Sequence, residues 1–481
     1  MLKKLYGILG ANGWEETENT VEVRSPFDNR LISRVCLASE EDISRAIGKA
    51  ALAFESTKKF SSRARRDNCL GVARGIRDRF DELVEVLSLE AGKPLKTSRM
   101  EVERAVSTFE IASGEAQRLG GEVIPVDITP MAEPYKAITR RFPIGPASFI
   151  SPYNWPLNLV AHKVAPALAV GSTFILKPAT STPLTSLLLA EVILENCRLP
   201  QGSIHVLPCG REEAGLFATD PRLKIISFTG SPEVGWKLKE RAGKKKVVLE
   251  LGGNAAAVVH HDADLKEAVA RCVAGSFSYA GQVCISVQRI LLHEKIYEEF
   301  KEKFINETEK LRVGDPMDEA TDVGPMIDLA NVERLAEWIS EAEKRGARGL
   351  TGNRHSGTLF WPTVLENVPS DCRINCQEAF GPVAVLIRYS SFREAVDIVN
   401  DSEYGLQAGI FTRDAHNIFY AFENLEVGGV IAGDVPTTRV DNMPYGGVKN
   451  SGFGREGVKY AIEDMTEWRV LVMKNMGERV E

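Results

Sequence analysis

Long apolar runs are scarce in this sequence, and none reaches the length of a membrane span. The run at residues 5–10, behind Lys3 and Lys4, is broken at Gly7 and Gly10 and stops before Asn12, too short for a secretory signal. A dominant charge is missing as well. Lysines and arginines number 59 against 66 aspartates and glutamates, a formal net charge of −7, so no basic stripe invites nucleic acid and no membrane surface is expected as a partner. The eight cysteines (36, 69, 197, 209, 272, 284, 372 and 376) contain no CxxC pair. Cys372 and Cys376 lack a second pair at ligand spacing, so no metal site is expected. Thiols of this kind suit a reducing compartment, and a cytoplasmic location follows as the expectation. There is no internal repeat, no low-complexity segment and no GxGxxG. What remains is an ordinary globular composition, 44% hydrophobic and 26% charged, in a chain of 481 residues that is too long for one core.

Residues 39–118 read as helical, with a helix start at Ser39 and apolar positions at Ile43, Ala46, Ile47 and Ala50. Gly120 and Gly121 open a different texture. Residues 122–127 and 135–142 alternate around proline and glycine as two strands, and residues 467–474 read as another. Such strands have open edges unless a partner subunit or an intramolecular neighbour covers them. From 143 to 260 short strands alternate with helices: strands at 147–151, 173–177, 203–207, 225–228 and 246–249, helices at 159–170 and 185–197. That alternation predicts an α/β, doubly wound parallel sheet with its ligand crevice at the carboxyl ends of the strands. Asn154, Lys177, Ser231 and Glu250 all fall at such ends. Gly230-Ser231, opening a helix, is able to hold pyrophosphate on backbone N–H groups. Residues 262–445 repeat the α/β texture, with helices near 264–275, 295–311 and 328–345, and the glycine-rich stretch 443–454 is expected to be an irregular loop.

One stretch organises the rest. In Gly281-Gln282-Val283-Cys284-Ile285-Ser286 a cysteine follows a glycine turn among small residues, as a thiol with room in front of it. A thiolate is a strong nucleophile, and an electropositive, partly exposed setting is expected to bring its pKa down toward neutrality. Glu250-Leu251-Gly252-Gly253-Asn254 sets a carboxylate at a strand end with two glycines behind it.

Seven motifs in order carry a resemblance over nearly the whole chain: Pro152-Tyr153-Asn154-Trp155-Pro156, Lys177-Pro178-Ala179, Phe228-Thr229-Gly230-Ser231, Glu250-Leu251-Gly252-Gly253, Gly281-Gln282-Val283-Cys284, Glu378-Ala379-Phe380-Gly381-Pro382, and the tail from Pro444 to Gly454. Together they resemble the aldehyde dehydrogenase superfamily, in the branch of lactaldehyde, phosphonoacetaldehyde and semialdehyde dehydrogenases. The resemblance implies a cofactor domain at 1–119 and 140–250, a second α/β catalytic domain at 251–445, and a small β hairpin for oligomerisation at 120–139 and 464–481. A homodimer or homotetramer is the implied assembly. It further implies that Cys284 attacks an aldehyde as nucleophile, that Asn154 and the Cys284 N–H form the oxyanion hole, and that Glu250 activates the hydrolytic water. NAD or NADP is the implied cofactor. Lys177 is then at the adenosine ribose, Ser231 with Gly230 at the pyrophosphate, Glu378 at the nicotinamide ribose and Phe380 near the nicotinamide or simply in the core. Ser151, Pro152, Tyr153 and Leu251 complete that groove. Thr180 stands where NAD-preferring relatives carry a glutamate; a neutral side chain admits NADP without requiring it. Arg211 is able to pair with a 2′-phosphate, to crowd the pocket or to point into water.

The substrate pocket implied by the resemblance is lined by Trp155, Leu159, His162, Ile285, Ser286 and Arg439. Arg439 either binds an anionic or hydroxylated tail or is a surface arginine paired with Asp441. His162 is better read as a satisfied core histidine than as a catalytic group. Two rivals remain: a CoA-acylating semialdehyde dehydrogenase, against which Glu250 stands, and a retired enzyme kept for binding or structure, against which Cys284, Glu250 and Asn154 stand together.

Overall fold

Two twisted sheets dominate the molecule, and each is built from strands too apolar to leave either face in water. The computed structural model describes residues 2–474. In the first sheet the strands Lys246–Glu250, Ile225–Thr229, Ala147–Ile150, Phe174–Lys177 and Ile204–Val206 run parallel in that spatial order. Ile8–Gly10 and Gly13–Glu15 extend it antiparallel on one side. The parallel part of the sheet starts at Ala147–Ile150, builds outward to 204–206, then crosses back to 225–229 on the other side. The crossing makes a switch point between 147–150 and 225–229, the place where a doubly wound sheet opens a crevice. Helices Asn158–Val170 and Leu184–Asn196, buried almost all round, cover one face of this sheet. They are packed in turn by Ser62–Asp78 and Leu95–Arg118.

The second sheet has the order 348–351, 363–366, 383–389, 289–293, 256–259, 407–411, 429–432 and is parallel except for its first strand. Helices Leu265–Phe277, Tyr297–Glu309 and Leu329–Lys344 cover one face, around a core that includes Phe277, Phe300, Phe304 and Trp338. The stretch 443–454 departs from the expected irregular loop. Val448–Lys449 pairs with Tyr404–Gly405, and Gly452–Phe453 adds an antiparallel edge to the first sheet, opposite Leu249 and Glu250. Its glycines let backbone meet backbone where side chains would have kept the strands apart.

Thr466–Lys474 pairs along its whole length with Tyr135–Pro143, whose other side carries the short strand Val123–Ile124. Tyr135–Pro143 is therefore paired on both sides within the chain, on one of them over two residues, and Thr466–Lys474 on one side. The expected segment 464–481 extends past this strand, and residues 475–481 lie outside the described residues. Among the described residues no helix is long and apolar enough to cross a membrane.

Candidate active site

A cleft of about 620 Å³ opens at the switch point. Its wall includes Ser151, Pro152, Tyr153 and Asn154 beyond the strand 147–150, Gly230 and Ser231 beyond 225–229, and Lys177 at the end of 174–177. From the other sheet's side come Cys284, Glu378 and Phe380. Residues separated by more than 200 positions thus share one crevice because parallel strands all end on the same side.

The thiol loop reaches this cleft through strained backbone. Tyr279, Ala280 and Gly281 are successively left-handed, with φ of 51°, 52° and 66°. For the two non-glycine residues this conformation is uphill by about 1–3 kcal/mol each. Packing holds it: Tyr279 is fully buried and its hydroxyl donates to the Ala91 carbonyl at 2.9 Å. Gly281 has no alternative, since a Cβ there would stand 2.1 Å from the Gly381 carbonyl oxygen. The buried Gln282 side chain ties the loop down by accepting from Ile327 N–H at 2.9 Å. The Asn154 amide donates to Gln282 O at 2.9 Å, which leaves its second amide hydrogen for another acceptor. Cys284 is half-buried and its sulfur lies 3.1 Å from the Tyr445 hydroxyl. The expected electropositive depression of its pKa is not what the fold produces. Burial pushes the thiol up to about 12, against the pull of the Tyr445 hydrogen bond and the Arg439 charge.

Glu250 ends its strand 3% exposed, and neither carboxylate oxygen has a hydrogen-bond partner among the described residues. Burial, and then the negative charge of Glu456, raise its pKa well above the usual carboxylate range. Glu456 behaves oppositely. Burial disfavours its charge too, but Lys163, Arg439 and His162 hold it down to about 2. Lys163 Nζ donates to Glu456 at 2.9 Å and to Ser227 Oγ at 2.8 Å, and Arg439 donates to the other Glu456 oxygen at 3.2 Å. Two carboxyl groups with pKa values driven apart, near the half-buried thiol, form an arrangement that allows one of them to accept a proton.

The remaining groove suits a dinucleotide. Ser151 Oγ and Thr229 Oγ1 are buried without partners among the described residues. Ser231 caps the helix Pro232–Arg241 without using its side chain on the helix N–H groups, so that N-terminus faces the cleft ready for an anion. Lys177, Thr180, Arg211 and Arg241 line the far end, with burial and then Arg211 pulling the Lys177 pKa down despite Cys209. Leu251 lines the floor. Glu378 is pushed up to about 7 by burial while accepting from Gly253 N–H at 2.9 Å. Phe380, at φ 45°, stands edge-on to Tyr153 at 5.9 Å.

Of the residues expected around the substrate, Leu159 lines this cleft, whereas Trp155, His162, Ile285, Ser286 and Arg439 do not. Trp155 lies under Lys93 Nζ at 3.8 Å. Ile285 packs with Leu406 and Tyr445, and Ser286 donates to the Gly275 and Ser276 carbonyls. His162 is fully buried and bonds Asp441 at 2.9 Å, and burial with the nearby Arg439 lowers its pKa to about 4. Arg439 is no surface arginine. Its side chain is 6% exposed and pairs with Glu456, while Asp441 is held by Arg104 and His162. Sequence reasoning missed Lys163, Glu456, Tyr445 and Arg241. Lys163 did leave a signal, an ammonium in the middle of a helix whose neighbours are almost all apolar.

The chain is similar to known proteins over nearly its whole length. The chain is 44% identical over 471 residues to the 3-sulfolactaldehyde dehydrogenase of Priestia aryabhattai, covering 98% of each. Aldehyde dehydrogenase 21 from Physcomitrella patens, solved in complex with the reaction product succinate, superposes at a TM-score of 0.97 with 44% identity. That match covers 99% of this chain and 100% of the other. A glyceraldehyde-3-phosphate dehydrogenase from Methanocaldococcus jannaschii, complexed with NADP, matches at 0.91 with 39% identity over 95% of this chain and 100% of its own. The profile of the aldehyde dehydrogenase family matches residues 14–471, and the chain belongs to that family.

Proposed function

We propose that this enzyme oxidises a small aldehyde with an anionic or hydroxylated tail to the carboxylic acid, using NAD or NADP. The observation that carries the reading is the single cleft that Cys284 and Asn154 share with the Ser231 helix N-terminus, Lys177 and Glu378. Cys284 Sγ, as thiolate, adds to the aldehyde carbon, and the new alkoxide takes hydrogen bonds from the free Asn154 amide hydrogen and the Cys284 N–H. One such donor is worth about 3–4 kcal/mol in comparable sites. A dinucleotide held by Lys177, Ser231 and Glu378 would supply the hydride acceptor that the oxidation of the thiohemiacetal to a thioester requires. Glu250 then takes a proton from water as that water adds to the thioester carbon, and Cys284 leaves as the acid forms. Residues 1–119 and 140–250 are the part assigned to the dinucleotide, and 251–445 the part that carries the thiol. Thr180, Arg211 and Arg241 favour acceptance of a 2′-phosphate, since no carboxylate opposes it at position 180 and two guanidiniums line that end.

For the tail, support comes from the sulfonated and dicarboxylic compounds named for the similar proteins. A panel of lactaldehyde, succinic semialdehyde and propanal with each dinucleotide, followed by reduced-nicotinamide absorbance, tests the reading. Turnover of none of them, or a Cys284→Ser enzyme as active as the parent, would refute it. Acyl-CoA formed in place of acid would move the assignment to the CoA-acylating rival.

The assembly reading is that strand Thr466–Lys474 of one copy meets the edge strand Gly429–Ala432 of another. Trp468, Val470, Leu471 and Val472 are each about half exposed, and Phe419 and Phe422 stand exposed on the helix beside that edge. Leu471→Lys is expected to shift light scattering toward the monomer mass.

A further inference from the structure

Tyr445 touches the sulfur of Cys284, and the fold has gone to some length to put it there. Among the described residues its hydroxyl has one hydrogen-bond partner, Cys284 Sγ at 3.1 Å. Its ring is 3% exposed, wedged against Ile285 and Leu406. Across the ring lies Arg439, with its guanidinium carbon 3.7 Å from the centroid. Arg439 is kept there by Glu456, and Glu456 is itself backbone-paired to Tyr445: Tyr445 N–H donates to Glu456 O at 3.0 Å and Glu456 N–H to Tyr445 O at 2.7 Å. The phenol, the cation above it and the carboxylate holding that cation are therefore one rigid unit. Gly446, the next residue, has φ 155°, and a Cβ there would stand 2.8 Å from Glu250 Oε1. Adjacent positions of a single turn thus contact the thiol and the carboxylate.

We infer that Tyr445 is a further catalytic residue, donating its O–H to the Cys284 thiolate and so stabilising the ionised nucleophile, with Arg439 as a positioning residue that strengthens this donor through the ring. When the thiol ionises its proton leaves to water in the cleft, and Tyr445 stays protonated throughout. A cation held over an aromatic face draws electron density from the ring, which makes the phenolic hydrogen a better donor. A hydrogen bond to a charged acceptor is roughly twice as strong as a neutral one, so the stabilisation favours the thiolate over the thiol. The need is plain from the surroundings. Burial pushes this thiol up to about 12, and the Tyr445 hydrogen bond and the Arg439 charge are the influences that oppose it. Glu456 keeps its charge where Glu250 tends to lose it, which keeps Arg439 anchored over the ring.

The inference rests on Cys284 being the nucleophile, but the test reads the sulfur and not turnover, so the two fail separately. Thiolate ultraviolet absorbance is titrated in the dinucleotide-free enzyme as the difference from Cys284→Ser, alongside alkylation by iodoacetamide. Tyr445→Phe, which removes only the hydroxyl, is expected to displace the titration about one pH unit to the alkaline side. Alkylation at fixed pH should slow about tenfold, the size of one hydrogen bond to a charged group. An unmoved inflection overturns the proposal. Replacing Tyr445 by 3-fluorotyrosine, which preserves the fold while acidifying the phenol, is expected to displace the titration the opposite way, and no displacement there counts against the proposal equally. Arg439→Lys keeps the charge but loses the flat stack, and its smaller alkaline displacement should vanish in the Tyr445→Phe background. If it persists undiminished, Arg439 acts on the sulfur directly and its assignment through the phenol falls.

Discussion

Replacing Glu456 by glutamine sets two consequences of the buried network against each other. The side chain accepts from Lys163 at 2.9 Å and from Arg439 at 3.2 Å, and all three residues are almost entirely out of water. The amide of E456Q can still accept from Lys163, but its nitrogen then faces the Arg439 donor. Two buried cations lose their counter-charge, and removing one partner of a buried ion pair costs about 3–5 kcal/mol. That is a large part of a typical folding stability of about 5–15 kcal/mol. The opposite consequence falls on Glu250. After burial, the Glu456 charge is the chief influence raising its pKa, while Arg439 and Lys163 lower it. Without that repulsion the Glu250 pKa falls, and a general base ionised at lower pH works at lower pH.

The assay has two parts. Denaturant unfolding near neutral pH should show E456Q markedly less stable than the parent. The deficit should shrink as pH drops from about 4.5, where an unfolded glutamate titrates, toward about 2, where the folded one does. The sign follows from the depressed pKa, whose stabilisation is present above the unfolded value and lost below it. Single-turnover hydrolysis of preformed acyl-enzyme should then show its acid limb displaced to lower pH. Equal stability, or an acid limb that stays put or moves to higher pH, would refute the coupling.

Three further outcomes are expected. Asn154→Ala should lower kcat by about 10²–10³, the loss of one oxyanion donor, with dinucleotide affinity by fluorescence titration little changed. Thr180→Glu should raise the KM for NADP far more than that for NAD, because a carboxylate would then meet the 2′-phosphate. Arg439→Ala should lower kcat/KM for succinic semialdehyde and for propanal by similar factors, because the guanidinium serves Tyr445 and Glu456; a loss confined to the semialdehyde would give it the substrate's tail instead.

Much of this was legible from the chain alone because the parallel strands announce themselves locally. Residues 147–150, 174–177, 225–229 and 246–250 are short apolar runs followed by glycine, proline or polar residues, and their carboxyl ends carry Asn154, Lys177, Ser231 and Glu250. The network behind the thiol was not legible. Lys163 and Glu456 are separated by 293 positions, and Arg439 meets Glu456 and not the nearby Asp441. Such partners are chosen by the packing of helix 158–170 against the tail, which no local spacing encodes. The thiol's high pKa escaped for the same reason, since small neighbours in sequence say nothing of the walls that later close around them. The tail 443–454 misled because its glycines signal irregularity, while in the fold they permit close pairing with residues 404–405 and 249–250.

Strain at the cleft follows from the way the two sheets meet there. The thiol arrives from one loop and Glu378 with Phe380 from another, and the loops cross where Gly281 lies against the Gly381 carbonyl. Both loops hold left-handed residues at the crossing, Tyr279 and Ala280 on one and Phe380 on the other. Relaxing either would redirect its side chains, and the conformation persists because buried anchors overdetermine it. Tyr279 is pinned to Ala91, Gln282 to Ile327, and Ala379 N–H to Gln288 at 2.9 Å. The relative position of Cys284 and Glu378 thus depends on those anchors and on the close approach of Gly281 to the Gly381 carbonyl. A methyl group at residue 281 would force those loops apart and separate Cys284 from Glu378 without touching either.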